Sequence, residues 1–171
     1  MKLSLQDSFG ATVEKGEYER IDLSRAKGFF IEPGVKIKIL ILNETLKATI
    51  PQGKYERVFL DNADSAQIDA EAKIGSLILT SSRNTNLPII KSSELNLSGA
   101  QNFTIAEGTA VEKLFLEGCR KFVIPKGHYK YIFLGNVLDF TIMPGASYRE
   151  IIGADPKLIR LALEKGKQSE D

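Results

Sequence analysis

The amino-acid sequence predicts an all-β fold: a parallel β-solenoid (β-helix) of about eight to nine 18/19-residue coils with a short C-terminal α-helix. Three observations carry this. The phrase GEYERIDL at 16–23 returns as GKYERVFL at 53–60 and as GHYKYIFL at 127–134, the second interval being twice the first. A Leu-x-Leu pattern recurs about every half-period, and an aliphatic residue stands eight positions after each one. Repetition at a fixed period marks a stacked architecture, because a single unit cannot bury its apolar face alone.

The elements follow in order. With the last Leu of each phrase as anchor, the series is Leu5, Leu23, Leu42, Leu60, Leu79, Leu97, Leu116, Leu134 and Ile152, with spacings alternating 18 and 19 until a final 18. Two residues before the anchors stand Leu3, Ile21, Leu40, Val58, Leu77, Leu95, Leu114 and Ile132, which completes one short strand per coil. Eight residues after the anchors stand Val13, Ile31, Ile50, Ile68, Leu87, Ile105, Ile124 and Ile142, the inward residues of a second strand. Pro51, Pro88, Pro125 and Pro144 follow that strand, where they end it without removing a ladder hydrogen bond. Gly stands eleven after the anchor at 16, 34, 53, 108, 127 and 145 and gives way to Glu71 and Ile90 in the middle coils. Parallel stacking at about 4.8 Å per coil gives a rod about 40 Å long. Residues 3–153 form the repeat domain, 154–167 a helix packed on the last coil, and 168–171 a flexible tail. Asp155 is the expected N-cap and Pro156 the first helical residue, with an apolar stripe of Leu158, Ile159, Leu161 and Ala162.

The segment VEKLFLEGCRKFVIPKG, 111–127, resembles a leucine-rich repeat, with a Leu-x-Leu followed by a small residue three after the anchor. That small column reads Ser8, Ala26, Thr45, Ala63, Ser82, Ala100, Cys119 and Val137. The resemblance implies a short leucine-rich-repeat-like solenoid as the alternative fold. The 18/19-residue coils are shorter than that family's repeats of roughly 20 to 29, and a strand-like Phe-x-Ile stands where many such repeats place a helix.

Composition narrows the function. A net charge of +1 gives no bulk attraction to nucleic acid or an anionic membrane. One Cys and one His exclude an internal disulfide and the paired-ligand metal motifs. The start, MKLSLQDSFG, has no signal-peptide apolar run, so the expected location is the cytoplasm, or outside it by export without a cleavable signal. No phosphate loop, nucleophile elbow or paired-carboxylate motif is present. Coils that differ by a single residue leave no inserts to build a catalytic groove. The reading is a protein that is not an enzyme and uses no cofactor or metal.

The informative column is the middle of Leu-x-Leu, which points away from the core. It reads Ser4, Asp22, Ile41, Phe59, Ile78, Asn96, Phe115, Phe133 and Ile151. Six of the nine are large and apolar, and a bare apolar row on a monomer marks an interaction surface unless its own chain covers it. The C-terminal helix, about 18 Å long at a rise of about 1.5 Å per residue, is too short to cap the end and hide the row as well. The expected partner-binding residues are therefore Ile41, Phe59, Ile78, Phe115, Phe133 and Ile151. The expected partner is another protein or a second copy in a homodimer or filament, with a carbohydrate-binding β-helix as a further alternative. Tyr18, Tyr55 and Tyr129 are expected at a corner with hydroxyls in water, Cys119 as a buried structural thiol, and His128 in a turn without an acid partner. The outward column Thr12, Phe30, Thr49, Gln67, Asn86, Thr104, Val123 and Thr141 is too interrupted for an ice-binding array.

Overall fold

The computed structural model describes residues 1–169. The elements run β1 (Lys2–Ser4), β2 (Thr12–Val13), β3 (Glu17–Asp22), β4 (Phe30–Ile31), β5 (Val35–Ile41), β6 (Thr49–Ile50), β7 (Gly53–Phe59), β8 (Gln67–Ile68) and β9 (Lys73–Ile78). They continue as β10 (Arg83–Leu87), β11 (Lys91–Asn96), β12 (Gln101–Ile105), β13 (Thr109–Phe115), β14 (Arg120–Ile124), β15 (Gly127–Phe133), β16 (Leu138–Ile142), β17 (Ala146–Ile152) and α1 (Pro156–Gln168). The odd-numbered strands form one nine-stranded parallel sheet, and the even-numbered strands pair as β2–β4, β6–β8, β10–β12 and β14–β16. This is the β-solenoid, with strands at both positions of every coil and a helix only at its end.

The core is built by columns. Leu23, Leu42, Leu60, Leu79, Leu97, Leu116 and Leu134 are fully buried anchors stacked one coil apart. Phe103, Phe122 and Phe140 stack as a second interior file, with ring centroids 6.2 and 5.4 Å apart. Each long odd strand bends midway. In β5 the inward residues are Val35 and Ile37, then Leu40, so Lys38 and Ile39 both face outward at the bend.

Between anchor and second strand, the chain turns at two left-handed positions that bracket the small inward residue. One file contains Asp7, Arg25, Glu44, Asn62, Ser81, Gly99, Gly118 and Asn136, and the other Gly10, Gly28, Lys47, Ser65, Asn84, Asn102, Lys121 and Asp139, all with positive φ. Most are not glycine, at a cost of order 1 kcal/mol each. Coil-to-coil hydrogen bonds offset that cost: Arg25 N donates to Asn43 O at 2.9 Å, and Lys47 N to Asp64 O at 2.8 Å.

The glycines eleven after the anchor are two different devices. Gly34, Gly108 and Gly145 lie at φ 84°, 86° and 86° in the longer coils and are the extra corner residue. Gly53 and Gly127 lie in the shorter coils and have no such φ. They leave room for the tyrosine two residues on: a Cβ on Gly53 would meet Tyr55 Oη and Val35 O, both at 2.9 Å. The tyrosines are interior, which corrects the expected wet hydroxyls. Tyr55 and Tyr129 are buried, and their hydroxyls donate to Pro51 O at 2.9 Å and Pro125 O at 3.1 Å. Tyr18 makes the same bond to Glu14 O at 3.0 Å. A fourth, degenerate copy of the phrase, IKSSELNL at 90–97, fills the same space the other way round, with buried Ile90 in the glycine position and Ser92 in the tyrosine position.

At the C-terminal end, Asp155 caps α1 by accepting from Lys157 N at 2.7 Å, and Pro156 is the first helical residue. The helix packs against β16. Its inward stripe is Ile159, Ala162, Leu163 and Gly166, spaced i, i+3, i+4, i+7, while Leu158 and Leu161 stay exposed, a shift from the expected stripe. Gly166 is required by approach, since a Cβ there would run into Ile142 O. Lys165 Nζ reaches Asp139 at 2.6 Å. The helix ends at Gln168, so of the expected tail Gln168 is helical, and residues 170–171 lie outside the described residues. At the other end, the inward Leu3, Leu5 and Ala11 are only half-buried, because no coil lies beyond β1 among the described residues.

Candidate functional site

The expected row forms on the outer face of the nine-stranded sheet. In-register pairing sets Asp22 beside Ile41, Ile41 beside Phe59, and Phe59 beside Ile78. It continues through Asn96, Phe115 and Phe133. Successive members stack, and each is half-buried by its neighbours. Phe115 and Phe133 are close to parallel, with centroids 4.4 Å apart and an interplanar angle of 8°. That distance is close to the strand spacing itself, so the rings sit as rungs of a ladder.

The last member differs from the expectation. Phe133 pairs with Ile152, and Ile132 with Ile151. Ile151 therefore points inward against the core, and Ile152, 36% exposed, completes the row. The final coil is of the longer kind, with Gly153 in the anchor position, so the alternation of short and long coils is unbroken. The motif Leu-x-Leu reads there as Ile-Ile-Gly, and the sequence pattern slips by one. By the same slip Glu150, and not Arg149, aligns with Arg20, Arg57 and Lys113, because Glu150 pairs with Tyr131.

Of the row's three polar members, Ser4, Asp22 and Asn96, the last two fold back on the backbone. Asn96 Oδ1 accepts from Ser98 N at 3.0 Å. Asp22 is buried, which works to raise its pKa. Hydrogen bonds from Ser24 Oγ at 2.7 Å, Ser24 N at 3.1 Å, Gln6 at 2.8 Å and Arg20 at 3.3 Å outweigh the burial and hold the carboxyl below its ordinary value.

Helix α1 lies against β16, on a different side of the coil, so it does not cover this row. Two further columns flank the row, one in the strand two residues before each member and one in the turn two residues after it. Ahead of Phe59 and Phe115 stand Arg57 and Lys113; after them stand Asp61 and Glu117. None of these four charges has an ion-pair partner among the described residues.

A groove of about 740 Å³ runs along the bend of the odd strands. Its walls mix Lys36, Lys54 and Lys73 with Glu17, Glu19 and Glu56, and Lys36 is paired with Glu17 at 2.5 Å. Sequence reasoning missed this groove, because nothing in the pattern marks the midstrand bend. The other singled-out residues give no reacting group. Burial pushes the Cys119 thiol up to about 11, and its Sγ donates to Leu97 O at 3.0 Å. His128 Nδ1 lies 2.7 Å from Ser147 Oγ. That hydroxyl donates to Gly127 O at 3.2 Å, so the imidazole is the donor to Ser147 and is not placed to take its proton. Among the described residues no group of three His, Cys, Asp or Glu comes together to hold a metal, and no helix is long and apolar enough to cross a membrane.

Comparison with family models, curated proteins and solved structures finds no match to this chain.

Proposed function

We propose that the protein is a non-catalytic repeat protein that binds another protein through the flat apolar face of its nine-stranded sheet. The observation that carries this reading is the row Ile41, Phe59, Ile78, Phe115, Phe133 and Ile152, half-exposed, stacked in register and left bare by α1. A solenoid face of this kind is rigid before binding, so little ordering entropy opposes association. The polar columns on either side supply a rim, and aromatic rings at the centre supply the anchors on which interface energy concentrates. Tyr18, Tyr55 and Tyr129 are interior and supply no sugar-stacking strip, which favours the apolar face over the carbohydrate alternative.

The test is Phe115→Asp. Phe115 is half-exposed, so the substitution is expected to cost the isolated chain about 1–2 kcal/mol, less than truncation of a core aromatic at about 3–5. The variant stays folded by circular dichroism and loses the protein contacts that chemical cross-linking records for the wild type. If Phe115→Asp unfolds the chain, the row is core and the reading fails.

A further inference from the structure

We infer that the occupant of this face is a second copy of the chain, docked with the two solenoids parallel and related by a twofold axis along their length. The inference rests on the reading above, and the charge pattern on the two flanking columns carries it. In each coil with a central Phe at position 59 or 115, a cation precedes the ring by two residues and an acid follows it by two: Arg57 and Asp61, Lys113 and Glu117. A twofold axis along the rod sets each coil against its own equivalent and reverses the strand direction. The cation column of one copy then faces the acid column of the other. Arg57 meets the second copy's Asp61, Lys113 meets its Glu117, and symmetry repeats each pair. The row meets itself: Phe on Phe, Ile on Ile, and Asn96 on Asn96, a polar pair that penalises any shifted register. At one end Asp22 faces Asp22, each already held by Arg20 at 3.3 Å and buried among its hydrogen-bond donors.

The antiparallel alternatives fail on the same columns. A twofold axis along the strands, through the coil of Asn96, sets Glu94 against Glu94 and leaves Arg57 opposite Tyr131. Shifting that axis by half a coil brings Glu94 to Lys113 and Arg57 to Glu150, but it buries Asn96 against Phe115 and leaves Asp61 and Glu117 facing Ala154 and Ser98. The parallel arrangement pairs the row with itself and gives Asp61 and Glu117 a cation each, with Glu94 facing Ser98 and Glu150 facing Ala154.

Eight coils at about 4.8 Å, and a face three columns wide, give roughly 600 Å² on each copy. The total lies at the lower limit for stable association, so the dimer is concentration-dependent.

The experiment is analytical ultracentrifugation from micromolar to millimolar concentration on wild type, Lys113→Glu, Glu117→Lys, their equimolar mixture, and Phe115→Asp. Both charge positions are exposed, so the fold is expected to tolerate the changes. Wild type dimerises. Each charge variant alone opposes like charges twice and dimerises at least about tenfold more weakly. The mixture regains wild-type affinity to within about threefold, because the mixed dimer contains two Glu–Lys pairs across the axis. The Arg57→Asp and Asp61→Arg pair repeats the test at the other Phe. A mixture no tighter than its components overturns the parallel geometry. A wild type that is monomeric throughout overturns the second copy as occupant. Self-association unchanged by Phe115→Asp overturns the reading of the face on which the inference rests.

Discussion

The exchange of glycine–tyrosine for isoleucine–serine in the fourth copy can be moved to another coil, and the outcome measures how locally this core is packed. The coil of Gly53 and Tyr55 lies between Val35/Ile37 and Ala72/Ile74, and that of Ile90 and Ser92 between Ala72/Ile74 and Thr109/Val111. The two environments are close in size. Gly53→Ile alone puts a Cβ 2.9 Å from a backbone oxygen and the Tyr55 hydroxyl, with three more carbons beyond it. Overpacking on this scale costs about 3 kcal/mol. Tyr55→Ser alone empties a site where the ring is 2% exposed and removes the bond to Pro51 O, at about 3–5 kcal/mol. Together they reproduce the fourth copy, and the isoleucine fills the space the ring leaves. The expected double-mutant cost is about 3–5 kcal/mol, with a favourable coupling of about 3. Some loss persists, because the new Cβ still meets Val35 O, and because Ile90 N donates at 3.3 Å to the hydroxyl of Thr109 in the following coil, where Ala72, the counterpart for position 53, offers none. The assay is urea unfolding of the four proteins, with slopes compared to confirm that the unfolding unit is unchanged. Additivity within about 0.5 kcal/mol would show that the two residues do not share one space and would refute the compensation.

Two further outcomes follow from the end cap and from the buried acids. Gly166→Ala gains about 1 kcal/mol of helix propensity but drives a methyl into Ile142 O, so α1 is expected to undock. Hydrogen exchange should then rise across Pro156–Gln168 while the coils stay protected. The second outcome concerns alkaline pH. Burial raises Cys119 from 9.0 to about 11 and Tyr129 from 10.0 to about 12. Both groups ionise more readily in the unfolded chain, so their contribution is whole below about pH 9 and is lost as pH rises through 11 and 12. Thermal melts against pH should fall over that window, and Cys119→Ala should flatten the part between 9 and 11.

Much of the solenoid is legible in the sequence, because stacked coils write the same inward residue at the same offset. The anchor leucines from Leu23 to Leu134 and the aliphatics eight residues on are interior, and the helix start at Asp155 and Pro156 follows from capping chemistry. The left-handed corners are not legible. Arg25, Glu44, Lys47 and Lys121 have no intrinsic preference for positive φ; for the first three, backbone hydrogen bonds to the next coil hold the turn. The glycines eleven after the anchor look like one column, yet one set supplies a backbone conformation and the other supplies space. The outward row is legible from Ile41 to Phe133 and slips by one at Ile151, where the anchor becomes Gly153 and the pattern has no leucine to align on. The flanking charges are visible as letters, but their arrangement about Phe59 and Phe115 has meaning only once the strands are known to be parallel and in register.

The unbroken alternation of shorter and longer coils makes the natural module of this rod a pair of coils, the full interval between GEYERIDL and GKYERVFL. Removing or adding one such pair changes the length by about 10 Å and returns every inward column and corner to its phase. Removing a single coil would set two corners of the same kind in succession, one stacked on another without the intervening partner that shapes it. The chain is thus a ruler graduated in pairs. Its length can be increased or decreased in whole divisions, and the width of its outer sheet face stays constant.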